Sequence, residues 1–157
     1  IYRFRTQCMG IIHDIGEGPV CLDTSIFIYF IEEENRYIDL VAKIFAAIDE
    51  ESLCAVTSAI TLLETLVIPL RSNNSRLAEA YERLLSQSKG LTMISLDQKL
   101  LRQGAYLRAT LQIKTPDALQ IAAAQQTNCK VFVTNDRRLP KIAGLKILQL
   151  SDYLDVS

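Results

Sequence analysis

The chain carries a single histidine, His13, and no two cysteines at C-x-x-C spacing. Its four cysteines, Cys8, Cys21, Cys54 and Cys129, are scattered. These shortages argue against a zinc site or a disulfide framework. They favour free thiols acting as small apolar residues, with Cys21 and Cys54 expected inside buried strands. A reducing, cytoplasmic compartment is what this usage implies. No run approaches the ~18 continuous apolar residues that span a bilayer, so no membrane association is expected. The start also lacks the apolar core of a signal peptide. An excess of one charge is missing as well, with 17 basic residues against 18 acidic. That balance excludes a pull on polyanions by the whole molecule, though not a local basic groove. A glycine-rich phosphate loop is absent, and there are no repeats or low-complexity tracts.

What is present is 157 residues, 49% apolar and 22% charged, enough for one ordinary domain with a real core. Residues 1–19 differ from the rest. They hold Gly10, Gly16, Gly18, Pro19 and His13, and they open on Ile1, with Met9 as a candidate natural start. They are expected to be an N-terminal extension or an artefactual remnant, with the domain proper over 20–157. His13 has no His or Cys at ligand spacing and is expected in a solvated loop.

From Val20 onward, apolar runs of strand length alternate with helical patterns. Strands are expected at 20–22, 53–56, 91–94, 130–133 and 146–150. The first helix follows directly on Asp23-Thr24-Ser25 and contains the apolar string Ile26–Ile31, which suits burial on most sides. A second covers Tyr37 to Glu51. A third is capped by Thr57 or Ser58, passes through Leu62, Leu63, Leu66 and Val67, and is kinked or ended by Pro69. Others run from a Ser75 cap to about Lys89, from an Asp97 cap towards Ile113, and from Asp117 to about Thr127 behind a capping Thr115 and Pro116. A short turn at 152–154 finishes the chain. Strands separated by helices predict a parallel five-stranded sheet in a three-layer α/β/α sandwich.

Four acids stand at ends of these elements. Asp23 follows the first strand and Asp136 the fourth, Asp117 begins a helix, and Glu64 lies about two turns into another. All four are expected at the carboxyl edge of the sheet, where ligands bind in open α/β folds. Each also has a simpler explanation. Asp23, Thr24 or Ser25 caps a helix, Asp117 favours a helix dipole, Glu64 faces solvent or pairs with Arg71, and Asp136 is a turn residue. One shared site accounts for all four together. Packed carboxylates repel unless a cation sits among them, and oxygen ligands without His or Cys select hard ions such as Mg²⁺ or Mn²⁺. Thr24, Ser25, Thr134 and Asn135 supply short polar groups to orient waters or ligands there.

LDTS at 22–25, Glu64 within TSAITLLETLV, PDA at 116–118 and TND at 134–136 resemble PIN domains, and most of all the short ribonucleases of VapC-type toxin–antitoxin pairs. The likeness covers about residues 20 to 154. It implies a PIN-like fold and metal-dependent cleavage of single-stranded RNA by a metal-activated water. Asp23, Glu64, Asp117 and Asp136 would be the catalytic, metal-site acids, with Ser25 and Asn135 on supporting positions. It also implies a small antitoxin seated in the acidic groove through a basic or aromatic segment, and a homodimer. Leu77, Tyr81, Leu84 and Leu85, on the expected helices 58–72 and 75–89, offer apolar surface for such a dimer beyond what core packing uses. Lys114, Arg137 and Arg138 flank the acids and are candidate RNA phosphate contacts, against ordinary surface solvation. Three rivals remain. A non-catalytic scaffold on the same fold would bind RNA or protein. A dehalogenase-like phosphatase calls for D-x-D, where Ser25 stands instead. A receiver domain needs an acidic pair near the first strand that Asp23 does not have.

Overall fold

The structure is a computed structural model that describes residues 10–154. Met9 and Cys8 lie outside the described residues. Strand β1 (Val20–Leu22) is buried along its whole length and is flanked on both sides, by β2 (Ala55–Ser58) and β4 (Val131–Thr134). With β3 (Leu91–Ile94) and β5 (Lys146–Gln149) at the edges, the order is β3-β2-β1-β4-β5, all pairs parallel. Strand order reverses between β1 and β4. In open parallel sheets that reversal opens a crevice at the carboxyl ends of the strands.

The period-2 alternation of the strands feeds two separate cores. On one side Val20, Leu22, Ala55, Val131 and Val133 pack with residues of α1 (Gly10–Ile15), α2 (Thr24–Ile31), α3 (Ile38–Asp49) and α5 (Ser75–Gln87). There Phe30 stacks on Phe45 with centroids 4.3 Å apart, and Phe27 meets the same ring edge-on at 5.5 Å. On the other side Cys21, Val56 and Phe132 pack against α6 (Gln98–Leu111) and α7 (Thr115–Gln126). Small residues let these helices sit close. Ala118, Ala122, Ala123 and Ala124 are fully buried, and a Cβ on Gly104 would lie 3.1 Å from Leu119. The three-layer sandwich expected from the alternation is therefore the fold, with α4 (Ile60–Arg71) along the carboxyl edge and a closing 3-10 turn, η1 (Leu150–Tyr153).

Several local readings are corrected. β2 starts two residues later than expected, so Thr57 and Ser58 are strand residues instead of helix caps, and Cys54 is exposed ahead of the strand. Parallel pairing of Val20 with Ala55 sets this register. Helix α4 is not ended by Pro69, which is buried, but continues to Arg71. Asn74, not Ser75, caps α5 by accepting the Leu77 N–H at 3.1 Å. Thr115 is the first residue of α7, not its cap. Of the string 26–31, only Ile26 and Phe27 are fully buried. Tyr81 and Leu85 are core residues, while the exposed apolar strip lies on α4, at Leu63, Val67, Ile68 and Leu70.

The segment before Val20 contributes to this packing from Gly10 on. Ile11 and Ile15 of α1 are buried in the first core, and Tyr153 donates a hydrogen bond to Asp14. His13 is exposed on this helix beside Asp14, not in a loop. Gly18 enters β1 with φ of +82°, where a Cβ would come 3.1 Å from the Cys54 carbonyl oxygen. Truncating Ile11 to alanine should therefore remove about 2–4 kcal/mol of stability. Urea denaturation reads this directly, and an unchanged midpoint would show that α1 does not belong to the core.

Candidate functional site

Asp23 leaves β1 at the crevice. Its backbone N–H donates to the Val133 carbonyl, and its side chain caps α2 by accepting the Thr24 N–H at 2.8 Å. The other carboxylate oxygen accepts from the Thr134 hydroxyl at 2.7 Å, which locks the acid between β1 and β4. The helix cap expected at Asp23 is thus present, and it leaves the carboxylate at the crevice. Burial raises the pKa of Asp23 first, two hydrogen bonds hold it back, and the charge of Asp136 raises it further.

Glu64 is the fifth residue of α4, one turn in instead of two. Its Oε1 accepts from the Thr24 hydroxyl at 2.8 Å, with no ion pair to Arg71 among the described residues. Its pKa is raised by burial and then by Asp23, with the Thr24 bond opposing. Asp117, in the first turn of α7, has no hydrogen-bond donor among the described residues. Burial and then the charges of Asp23, Asp136 and Glu64 push it up to about 6. Asp136 moves the other way. Arg138 donates to it three times, through its backbone N–H and Nε, both at 3.0 Å on Oδ1, and through Nη2 at 3.2 Å on Oδ2, and so holds the carboxyl below its usual range. Asp117 is thus the acid that feels the charge of the other three, and Arg138 is the counter-charge on Asp136. With Asp136 forked by Arg138 and Glu64 bonded to Thr24, no three acid, His or Cys side chains among the described residues are gathered closely enough to grip a metal ion.

The supporting residues divide. Thr24 and Thr134 hold the acids directly. Ser25 has a buried hydroxyl with no hydrogen-bond partner. Asn135 is committed elsewhere, accepting the Ser151 N–H at 3.1 Å and donating to the Tyr29 hydroxyl at 3.3 Å. Among the basic residues, Lys114 is exposed and near enough to lower Asp136. Arg137 turns away to Ser151 and Asp152. A concavity of about 540 Å³ between α6 and α7, lined by Lys99, Arg102 and Tyr106 among others, contains none of the acids.

A family model for the PIN domain matches residues 20–145. The chain belongs to the PIN domain family. The PIN segment includes all four acids and both halves of the sheet reversal. No curated protein matches the chain by sequence. Among solved structures, VapC20 of Mycobacterium tuberculosis, described as a sarcin-ricin loop cleaving toxin, is 16% identical, with a TM-score of 0.64 over 76% of this chain and 92% of its own. A chain of VapBC2 from Rickettsia felis, solved bound to promoter DNA, is 20% identical with a TM-score of 0.61, covering 83% and 97%. A chain of the DNA-bound VapBC from Salmonella typhimurium is 22% identical with a TM-score of 0.58, covering 83% and 97%. At these identities the likeness establishes a shared fold. No helix among the described residues is long and apolar enough to cross a membrane.

Behind the acids of this PIN domain lies a polar cluster that motif reading passed over: Thr57, Ser58, Thr61 and Gln120, none of them solvent-exposed. Gln120 sits three residues after Asp117, on the same helix face, inside an otherwise alanine-rich buried run. A lone amide in such a run is the signal that would have found it.

The raised pKa of Asp117 has a thermodynamic sign. The unfolded chain releases this proton near pH 3.8, the folded chain only near 6, so ionisation of Asp117 costs stability as pH rises through that window. Asp117→Asn measured in chelator should therefore stabilise the protein at pH 7.5 by about 1 kcal/mol, after discounting for partial exposure, with the difference vanishing near pH 4. Urea melts at the two pH values provide the check. A variant less stable than the parent at pH 7.5 would contradict the crowding of charge.

Proposed function

We propose that this PIN domain is a metal-dependent endoribonuclease that hydrolyses phosphodiesters of single-stranded RNA, acting as the toxin of a toxin–antitoxin pair. The observation that carries the reading is that Thr24 binds acids of two elements, giving its N–H to Asp23 and its hydroxyl to Glu64, each at 2.8 Å. Asp117 lies near enough for both of these charges and that of Asp136 to add to burial in raising its pKa, while Arg138 lowers it. An excess of hard oxygen donors at a sheet reversal, next to the orphaned hydroxyl of Ser25, suits Mg²⁺ or Mn²⁺. Asp23, Asp117 and Asp136 would hold the ion by drawing closer than they stand, Asp136 letting go of Arg138, with Glu64 completing the set directly or through water. When bound, the ion supplies a water of lowered pKa and stabilises charge on the departing oxygen.

The chain's own residues then do the rest. Thr134 and the Thr24 N–H keep Asp23 aimed into the crevice, and the Thr24 hydroxyl does the same for Glu64. Lys114 and Arg138, both exposed, offer positive charge to the RNA backbone; Arg137, tied to Asp152, contributes less. For Arg138 this requires leaving Asp136, and an exposed ion pair is weak enough to exchange. Attack of water oxygen on phosphorus with loss of the 3′-oxygen, which takes up a proton, leaves a 5′-phosphate and a 3′-hydroxyl.

The strip Leu63, Val67, Ile68 and Leu70 flanks Glu64 on the same helix, with Leu63 58% and Ile68 68% exposed. An antitoxin that covers this strip and places a basic residue among the acids would block the site, and the same strip suits a homodimer. The VapBC assemblies noted above support a partner of that kind. The cytoplasm is the compartment where such a pair would meet RNA.

Asp117→Asn should leave a folded protein whose RNA cleavage, measured with Mn²⁺ on a mixed-sequence single strand, falls at least about 100-fold. Equal cleavage by the variant would sink the assignment. A wild-type protein that binds RNA but leaves it intact under all divalent ions would instead favour the non-catalytic scaffold.

A further inference from the structure

The buried cluster behind the acids can be read donor by donor from one bond whose direction is fixed. The Ser58 backbone N–H can only donate, and it reaches Gln120 Oε1 at 2.9 Å. That bond settles which end of the amide is oxygen, so Nε2 faces the threonines, at 2.7 Å from Thr61 Oγ1 and 3.4 Å from Thr24 Oγ1. Both hydroxyls are therefore acceptors towards Gln120 and have one proton each to give. An ionised Glu64 can only accept, so the Thr24 proton goes to Glu64 Oε1, 2.8 Å away. Thr61, 3.0 Å from Thr24 and 2.8 Å from Thr57, passes its proton to one of these neighbours. Thr57 has two acceptors for its own, the Leu22 carbonyl at 3.0 Å and Gln120 Oε1 at 3.3 Å, and so ties β2 to the end of β1 and to α7. Gln120 and Thr61 are completely buried, so this order is not scrambled by solvent.

We propose that Gln120 is a positioning residue of the acidic site, acting through Thr61 and Thr24 to fix the orientation of the Glu64 carboxyl. The inference rests on the reading of the four acids as a cation site. Its physical basis is that chained hydrogen bonds polarise one another, and that partners behind a ligating carboxylate set its orientation. Gln120 also couples two ligands of different elements. It lies one turn beyond Asp117 on α7, and its chain ends at Glu64 on α4.

The test is calorimetric titration of the full chain with Mn²⁺, in the wild type and in Thr61→Val, Thr61→Ser, Gln120→Asn and Asp117→Asn. Thr61→Val keeps the shape and loses the hydroxyl. It should weaken Mn²⁺ binding about tenfold or more, the usual effect of losing a partner behind a metal ligand. Thr61→Ser restores the hydroxyl and should bind within about threefold of wild type. Gln120→Asn, one methylene too short to span Ser58 and Thr61, should weaken binding like Thr61→Val and carries the test if the valine variant does not fold. Folded Thr61→Val and Gln120→Asn proteins that bind Mn²⁺ as the wild type does would overturn the role of Gln120 and leave the cation site standing. Absence of saturable binding in the wild type, unchanged by Asp117→Asn, would overturn the cation site and this inference with it.

Discussion

Negative charge held at the end of a buried parallel sheet is the constraint on which the rest of this structure depends. Asp23 and Asp136 arrive there because β1 and β4 point their carboxyl ends at the same crevice, and Glu64 and Asp117 because α4 and α7 begin at that edge. Burial and mutual repulsion both work against ionisation, and the fold answers with a specific partner for three of the four. Thr134 and a backbone N–H serve Asp23, Thr24 serves Glu64, and Arg138 serves Asp136. Asp117 has no such partner among the described residues, and burial with the neighbouring charges pushes its pKa up to about 6. The site is strained electrostatically at the position where a cation would relieve it.

The helical layers serve this edge in different ways. α7 is narrow, built of alanines that let it lie against β1 and β2, so Asp117 is placed by a closely packed element. α4 is the opposite case. It buries little beyond Thr61, Thr65 and Pro69 and leaves large side chains in solvent. Glu64 is thus carried on a helix whose outer face is unfinished, and the bonds from the threonine cluster are what register it against the sheet.

The sheet and the acids were legible in the sequence because both are written locally. Short runs such as Val20–Leu22 and Val131–Val133 mark strands, and a carboxylate directly after such a run marks the sheet edge. What was not legible depends on remote pairing. Thr57 and Ser58 read as a helix cap because nothing nearby says that Ala55 aligns with Val20 and draws them into β2. Pro69 read as a kink or an end of its helix, and that the helix continues past it to Arg71 is not written in its neighbours. Tyr81 and Leu85 read as available surface because helical periodicity cannot tell which apolar face the core takes. Gln120 escaped because its partners lie some sixty and a hundred positions away, at Ser58, Thr61 and Thr24.

The helix at Gly10–Ile15 separates two notions of where this domain begins. Family resemblance starts at Val20, at the first strand, because that is where the shared pattern starts. Cohesion starts earlier, since Ile11 and Ile15 fill the first core and Asp14 is latched to Tyr153 at the far end of the described chain. A fragment cut at the boundary of likeness would expose an apolar notch along α3 and free the closing turn. The segment that is recognisable and the segment that shares one core are therefore of different length.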